Sequence, residues 1–174
     1  MSDPFDVLGV EARFDLDRKA LEDRHRALSG ALHPDRYVGR PSAERRIALD
    51  RAIDVNAAFR ALRDPVKRAE ALLSRRGVMI GESAEPKAPP ALLMEMMEVR
   101  EELAEAQQNC DVDKLGALGD RMRLRESAVL ERIERAFFES GDAELATLLP
   151  TLGELRYLKR FFEELDAIEE QLVA

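Results

Sequence analysis

The sequence predicts an all-α protein made of a small N-terminal head and a C-terminal three-helix bundle. Apolar residues recur every three or four positions and do not alternate with polar ones. The composition is rich in Leu, Ala, Glu and Arg, with few aromatic residues. A stretch with two glycines and three prolines separates two helical regions. We therefore expect a head of residues 1–76, a linker of residues 77–90 and a body of residues 91–174.

The head opens with two helix-start signals. Asp3 is a suitable N-cap with Pro4 at the first helical position, and Gly9 should end this short helix. Leu16 and Leu21 flank Asp17 at the spacing of a hydrophobic staple, which predicts a second helix starting at Asp17.

The second helix leads into a fixed bend, the tripeptide His33-Pro34-Asp35. Pro34 disfavours helix at His33 and fixes its own φ, so the tripeptide should form a rigid exposed turn. On the helix before it, Leu21, Leu28 and Leu32 share one face. Much of the remaining surface is basic: Arg18, Lys19, Arg24, His25 and Arg26. A third helix should start near Ser42 and pack antiparallel on the second through Ala48, Ala52, Val55, Phe59 and Leu62.

Further start and stop signals define the remaining helices. Asp64-Pro65 repeats the first start signal, and Gly77 follows Arg75-Arg76 as a stop. The body should hold helices at roughly 91–108, 112–139 and 142–173, with Asp111 and Asp142 as N-caps and Gly141 closing the middle helix. In the last helix Pro150 and Gly153 predict a kink or a late start. Its apolar stripe is Leu148, Leu152, Leu155, Leu158, Phe162, Leu165, Ile168 and Leu172.

The first body helix has more apolar surface than one stripe needs. Its regular stripe is Leu92, Met96, Val99, Leu103 and Ala106. Leu93, Met94 and Met97 lie outside that stripe, beside Glu98 and Glu101, and Tyr157 and Phe161 are similarly off the main stripe of the last helix. Flexible methionines rimmed by charge are typical of a protein-binding surface. A crowded bundle that buries both stripes would explain the pattern equally well.

Charge and composition exclude several classes of function. Residues 1–76 carry sixteen Lys/Arg and thirteen Asp/Glu, and the remaining residues carry eleven and twenty-two. A mildly basic head on an acidic body lacks the concentrated basic surface that nucleic acid requires. No apolar run is long enough to span a membrane, and the N-terminus has no signal-peptide pattern. The single cysteine, Cys110, allows no internal disulfide, consistent with a reducing compartment.

The residues do not indicate an enzyme, a metal site or a cofactor. His25 and His33 are eight positions apart with one carboxylate in reach, which matches no usual zinc spacing. Catalysis would need a third positioned group and a pocket. One thiolate, Cys110, cannot hold an iron–sulfur cluster that uses about four ligands. We therefore expect a binding protein without catalytic residues, metal or cofactor.

The chain resembles a known family at several places. Pro4 to Val10, His33-Pro34-Asp35 and the run Ala57 to Leu62 are similar to the J-domain of chaperone cofactors. Two further segments, Asp64 to Leu73 and Leu92 to Leu103, resemble the HscB (Hsc20) family, the J-proteins of iron–sulfur cluster assembly. The likeness covers nearly the whole chain. No cysteine-rich zinc-binding segment, which some relatives carry at the N-terminus, is expected here.

The resemblance implies two partners and the residues that bind them. The head would dock on a DnaK-like (HscA-type) ATPase chaperone through Arg24, His25, Arg26, His33, Pro34 and Asp35. The body would hold an iron–sulfur scaffold protein (IscU-type) through a client face of Leu93, Met94, Met97, Glu98, Glu101 and Tyr157. The family often has Leu in place of Met97 and Phe in place of Tyr157, and both changes preserve apolar bulk.

The expected function is therefore a co-chaperone that delivers the scaffold protein to the chaperone and stimulates its ATPase. We expect it to act as a monomer in the bacterial cytoplasm, a location favoured over the mitochondrial matrix by the lack of a transit segment. Two alternatives remain open. One is a general J-domain protein for other clients, and the other is a helical assembly protein that dimerises through its surplus stripes and has no chaperone role.

Overall fold

The computed structural model describes residues 3–78, 80, 90–139 and 145–173. Within these ranges the regular structure is helical and no strand occurs, which confirms the all-α fold class. Two short 3-10 helices, Pro34–Tyr37 and Leu145–Leu148, accompany the longer elements. The α-helices are α1 Pro4–Leu8, α2 Arg18–Ala31, α3 Ser42–Arg63, α4 Pro65–Arg75, α5 Pro90–Gln108, α6 Val112–Glu139 and α7 Leu149–Val173.

The chain forms two compact units, Met1–Met79 and Ile80–Ala174. The first contains α1–α4 and the second α5–α7. The boundary between the units falls within residues 77–90. Residues 79 and 81–89 lie outside the described part of the chain, so the linker stays a prediction.

Aspartate N-caps start four of the helices where the sequence predicts them. Asp3 accepts a hydrogen bond from the Phe5 amide at 2.9 Å, and Asp17 accepts one from Ala20 at 2.6 Å. Asp64 accepts from Val66 at 2.9 Å, and Asp111 accepts from Lys114 at 2.9 Å. These bonds satisfy amides that have no partner inside the helix. The predicted signals at Gly141 and Asp142 lie outside the described residues.

The head is built around α3, against which α1 and α2 pack. Phe5 and Leu8 of α1, Leu62 of α3 and Leu73 of α4 are fully buried. At the outer edge, Arg75 of α4 bonds Asp3 at 2.5 Å and Asp6 at 3.0 Å, so the end of α4 is tied to the start of α1.

Arg68 of α4 fixes the loop between α1 and α2. Its guanidinium lies 4.8 Å from the centre of the Phe14 ring and donates to the Leu62 carbonyl oxygen at 3.1 Å. Burial lowers the pKa of this guanidinium, since the charged form is less well solvated there. The contact with the aromatic face and the carbonyl offsets part of that loss.

The body packs α5, α6 and α7 together, and α5 buries the stripe that the sequence predicts. In α7 two residues of the predicted stripe, Phe162 and Leu172, are not buried. Phe161 is buried, whereas Phe162 is partly exposed and lies against the Arg123 guanidinium. Both residues are three or four positions from Leu158 and Leu165, so spacing alone could not choose between them.

The start of α7 explains the effect of Pro150. One turn of 3-10 helix, Leu145–Leu148, precedes the α-helix, which begins at Leu149. Pro150 therefore lies in the first turn, where its missing amide hydrogen costs no helical hydrogen bond. The sequence predicted either a kink or a late start of this helix, and the described residues show the late start.

Two glycines of α6 give a matched test of helix packing. A Cβ at Gly116 would meet nothing within 4 Å, whereas one at Gly119 would lie 3.0 Å from Leu165 Cδ2 in the core. Replacing an exposed helical Gly by Ala stabilises by about 1 kcal/mol. We expect Gly116→Ala to approach that gain and Gly119→Ala to fall clearly short of it or to destabilise, as measured by urea unfolding. An equal gain in both variants would contradict this packing.

Candidate functional site

The His33-Pro34-Asp35 loop is short, internally bonded and exposed. Pro34 opens the 3-10 helix Pro34–Tyr37, and the His33 carbonyl oxygen accepts from the Arg36 amide at 3.0 Å. His33 Nδ1 lies 3.4 Å from both the Asp35 amide nitrogen and Asp35 Oδ2. The side chains of His33 and Asp35 are 59% and 86% exposed, so the loop presents them to the surroundings.

The three predicted docking residues of α2 lie in different environments. Arg24 Nε donates to the Leu8 carbonyl oxygen at 2.7 Å, beyond which α1 ends. His25 stacks on Phe59 of α3 with the ring centres 4.1 Å apart, and its Nε2 is 2.9 Å from Asn56 Oδ1. Arg26 is 78% exposed and pairs with Asp23, three positions earlier, at 3.0 Å. Arg24 and His25 thus help to hold the head together, while Arg26 is presented outward.

A hollow of about 510 Å³ joins His25 and Arg26, but not Arg24, to His33 of the loop. It lies between α2 and α3, and its lining is Glu22, His25, Arg26, Ser29, Gly30, His33, Phe59 and Arg63. His33 and Arg26 therefore share one surface with the stacked ring of His25. The sequence placed these residues near each other along the chain, but Phe59 and Arg63 reach the same surface only through the hairpin.

The predicted client face on α5 is exposed. Leu93 is 37%, Met94 65% and Met97 63% exposed, beside exposed Glu98 and Glu101. Because these three side chains are exposed while the regular stripe of α5 is buried, the surplus apolar residues are not a second core stripe. The interpretation that the bundle buries both stripes is therefore wrong for α5.

On α7 the two apolar residues outside the predicted stripe, Tyr157 and Phe161, differ in burial. Tyr157 is half-buried, and Phe161 belongs to the core. Tyr157 alone of the two keeps surface that a partner could contact.

A network of ion pairs links the three body helices next to this face. Arg125 of α6 pairs with Glu95 of α5, and its Nε donates to Glu154 of α7 at 2.8 Å. Arg132 also bonds Glu154, at 2.5 Å. Burial, the largest single influence, works to lower the pKa of Arg125, but the hydrogen bonds to Glu95 and Glu154 raise it above its usual value. Sequence reasoning missed this network, since only the bundle brings its members together.

The described residues contain neither a candidate metal cluster nor a helix that could span a membrane. Within them, no three or more His, Cys, Asp or Glu residues come together in a way that could hold a metal ion. No helix in the same ranges has both the length and the apolar character that crossing a membrane requires. Cys110 is exposed in the turn between α5 and α6, with a φ of 51°.

Comparison with known proteins identifies the class of protein as a co-chaperone. A family model described as the HSCB C-terminal oligomerisation domain matches residues 88–166. The co-chaperone protein HscB homolog of Burkholderia multivorans is 38% identical over 97% of this chain and 94% of its own length. That of Burkholderia vietnamiensis is 36% identical over the same shares.

Two solved structures agree with this result. Chaperone HscB from Vibrio cholerae has a TM-score of 0.85 at 28% identity, covering 98% of this chain and 99% of its own. Human co-chaperone protein HscB has a TM-score of 0.84 and covers 97% of this chain and 83% of its own; at 23% identity it supports the fold. The chain belongs to the HscB co-chaperone family.

The two histidines of the head should differ in their effect on stability. His25→Gln removes the stack on Phe59, so we expect a loss of about 1 kcal/mol in the free energy of unfolding. The His33 side chain is exposed and makes one long hydrogen bond. Its replacement in His33→Gln should therefore change the free energy of unfolding by no more than about 0.5 kcal/mol. Urea unfolding of both variants checks this. A large loss in His33→Gln would show that the loop residue is structural.

Proposed function

We propose that this co-chaperone binds an iron–sulfur scaffold protein through its body, and a DnaK-like ATPase chaperone of the HscA type through its head. Bringing client and chaperone together raises their effective concentration, and the loop then stimulates ATP hydrolysis in the chaperone. The observation that carries the proposal is the exposure of the His33-Pro34-Asp35 loop on one compact unit and of Leu93, Met94 and Met97 on the other. Phosphoryl transfer would occur in the chaperone, and this protein would take no part in the chemistry.

The chaperone-binding assignment rests on exposure and charge. Arg26 and Asp35 are outward-facing, and Arg26 can supply electrostatic steering towards an acidic surface. Pro34 and the 3-10 helix keep His33 and Asp35 in one arrangement, which lowers the entropy lost on docking. We assign Arg24 and His25 a supporting role at the edge of this surface, since both are engaged within the head.

The client-binding assignment rests on the composition of the exposed α5 surface. Met94 and Met97 offer adaptable apolar area, and Glu98 and Glu101 give it an acidic rim. An apolar patch with a charged border is typical of protein contacts. The matching client surface would be apolar with basic residues at its edge.

The alternatives predict different solution behaviour. A general J-domain protein would stimulate the chaperone without dependence on the scaffold protein. A dimerising assembly protein would sediment as a dimer and would give no stimulation.

We propose that this protein is a monomer in the bacterial cytoplasm. The description of the family model names oligomerisation, so sedimentation is the relevant test of the oligomeric state. A monomer at all concentrations would support the proposed state.

The loop is tested by the steady-state ATPase rate of the cognate chaperone. We expect this protein to stimulate the rate, the scaffold protein to increase the stimulation further, and His33→Gln to return it to the basal value. Arg26→Ala should reduce stimulation partially, because it removes one of several docking charges. Absence of stimulation by the wild type with the correct chaperone would contradict the chaperone role.

The client face is tested by a double substitution, Met94→Ala with Met97→Ala. We expect about tenfold weaker binding of the scaffold protein in titration calorimetry, since truncating central apolar contacts of an interface costs more than about 1 kcal/mol. Stimulation of the chaperone without scaffold should be unchanged. Leu124→Ala is the matched control, because Leu124 is a 76% exposed aliphatic residue on α6 outside the face. Equal loss in the control would contradict the assignment.

A further inference from the structure

Arg125 occupies the junction of the three body helices. It projects from α6 and pairs with one carboxylate on each neighbouring helix, Glu95 on α5 and Glu154 on α7. Its side chain is 24% exposed, that of Glu154 is 13% exposed and that of Glu95 is 48% exposed. The bond to Glu154 is a partly buried, charge-assisted hydrogen bond, which is stronger than the exposed ion pairs elsewhere on the surface, and the bond to Glu95 extends it to α5.

Both carboxylates lie within one helical turn of client-face residues. Glu95 follows Met94 directly and precedes Met97 by two positions on α5, and Glu154 precedes Tyr157 by three on α7. The client face is thus divided between two helices that Arg125 joins. A groove of about 340 Å³ runs beside the junction, and its lining includes Glu95, Glu98, Arg121 and Arg125.

Two polar contacts between α5 and α7 lie further along both helices. Arg100 pairs with Glu164 at 3.6 Å, and Gln107 bonds Gln171 at 3.4 Å. These pairs advance together in residue number, so α5 and α7 run in the same direction. Because the residues involved are well exposed, their bonds are weak constraints at the far end of the helices.

We propose that Arg125 is a positioning residue for client binding. By holding Glu95 and Glu154 at once, its planar guanidinium fixes the relative placement of the two halves of the client face before the client arrives. A preorganised surface loses less entropy on binding, so the contribution appears as client affinity. This inference rests on the proposed function, since it concerns the same client.

The experiment compares Arg125→Met, Arg125→Lys and the wild type for binding of the apo scaffold protein by titration calorimetry. Circular dichroism first establishes a temperature at which every variant is folded. We expect Arg125→Met to bind about five- to tenfold more weakly, at the lower end of the usual range of coupling between sites. Arg125→Lys should be intermediate, because an ammonium group lacks the fork that serves two carboxylates at once.

Arg121→Met is the matched control. Arg121 is one turn earlier on α6, lines the same groove and pairs with Glu102 of α5 at 2.9 Å, without a described bond to α7. We expect its affinity to stay within about twofold of the wild type, because a rim charge adds little to binding. An equal loss in Arg121→Met would overturn the proposal, since groove charge would then explain both.

A second substitution separates positioning from stability. Met97→Ala should cost less affinity in the Arg125→Met background than in the wild type, because the two halves of the face no longer act together. If the affinity losses of Met97→Ala and Arg125→Met were additive, or if Arg125→Met bound within twofold of the wild type, the role of Arg125 would be overturned while the proposed function would stand. If Arg125→Met does not fold, Glu95→Gln replaces it and should weaken binding by a smaller factor. Failure of the wild type to bind the scaffold would overturn the proposed function and this inference with it.

Discussion

The short helices of the head share one constraint: none of them would be stable alone in water. Helices below about 12–15 residues are marginal in isolation, because starting a helix costs more than its first hydrogen bond returns. Here α1 has 5 residues, α4 has 11 and α2 has 14. Each is stable only because it buries an apolar stripe against a neighbour, as Phe5 and Leu8 do in the head. The faces left outside those stripes are the ones available to partners.

The constraint gives the residues of α2 different tasks. Arg24 bonds the end of α1 and His25 bonds α3, so their polar groups stabilise the hairpin that carries the loop. Arg26, one position further round the helix, keeps its charge at the surface. Arg24, His25 and Arg26 are therefore similar in the sequence but differ in the structure. The first two make contacts within the head, and the third presents its charge to the surroundings. The body repeats this division, with Met96 inside the bundle and Met97 outside it.

Local signals made most of the fold predictable. The caps at Asp3, Asp17, Asp64 and Asp111 depend on residues within three positions, and all four are found. The choice between Phe161 and Phe162 was not predictable, since both fit the spacing and the rotation of α7 about its axis is set by α5 and α6. The exposure of Met94 and Met97 required the packed bundle, because the sequence left a second buried stripe open. Arg125 joins residues 30 and 29 positions away, which no local pattern reveals.

Gly9 and Arg24 are in close contact where α1 ends. Gly9 ends α1 at a φ of 62°, and a Cβ there would lie 2.9 Å from Arg24 Nη2. Any other residue at position 9 would carry backbone strain and push the guanidinium away from the Leu8 carbonyl oxygen. The arginine at position 24 therefore adds a second reason for glycine at position 9. Loss of the arginine would remove the close contact but not the backbone strain, so glycine would still be required there to end α1.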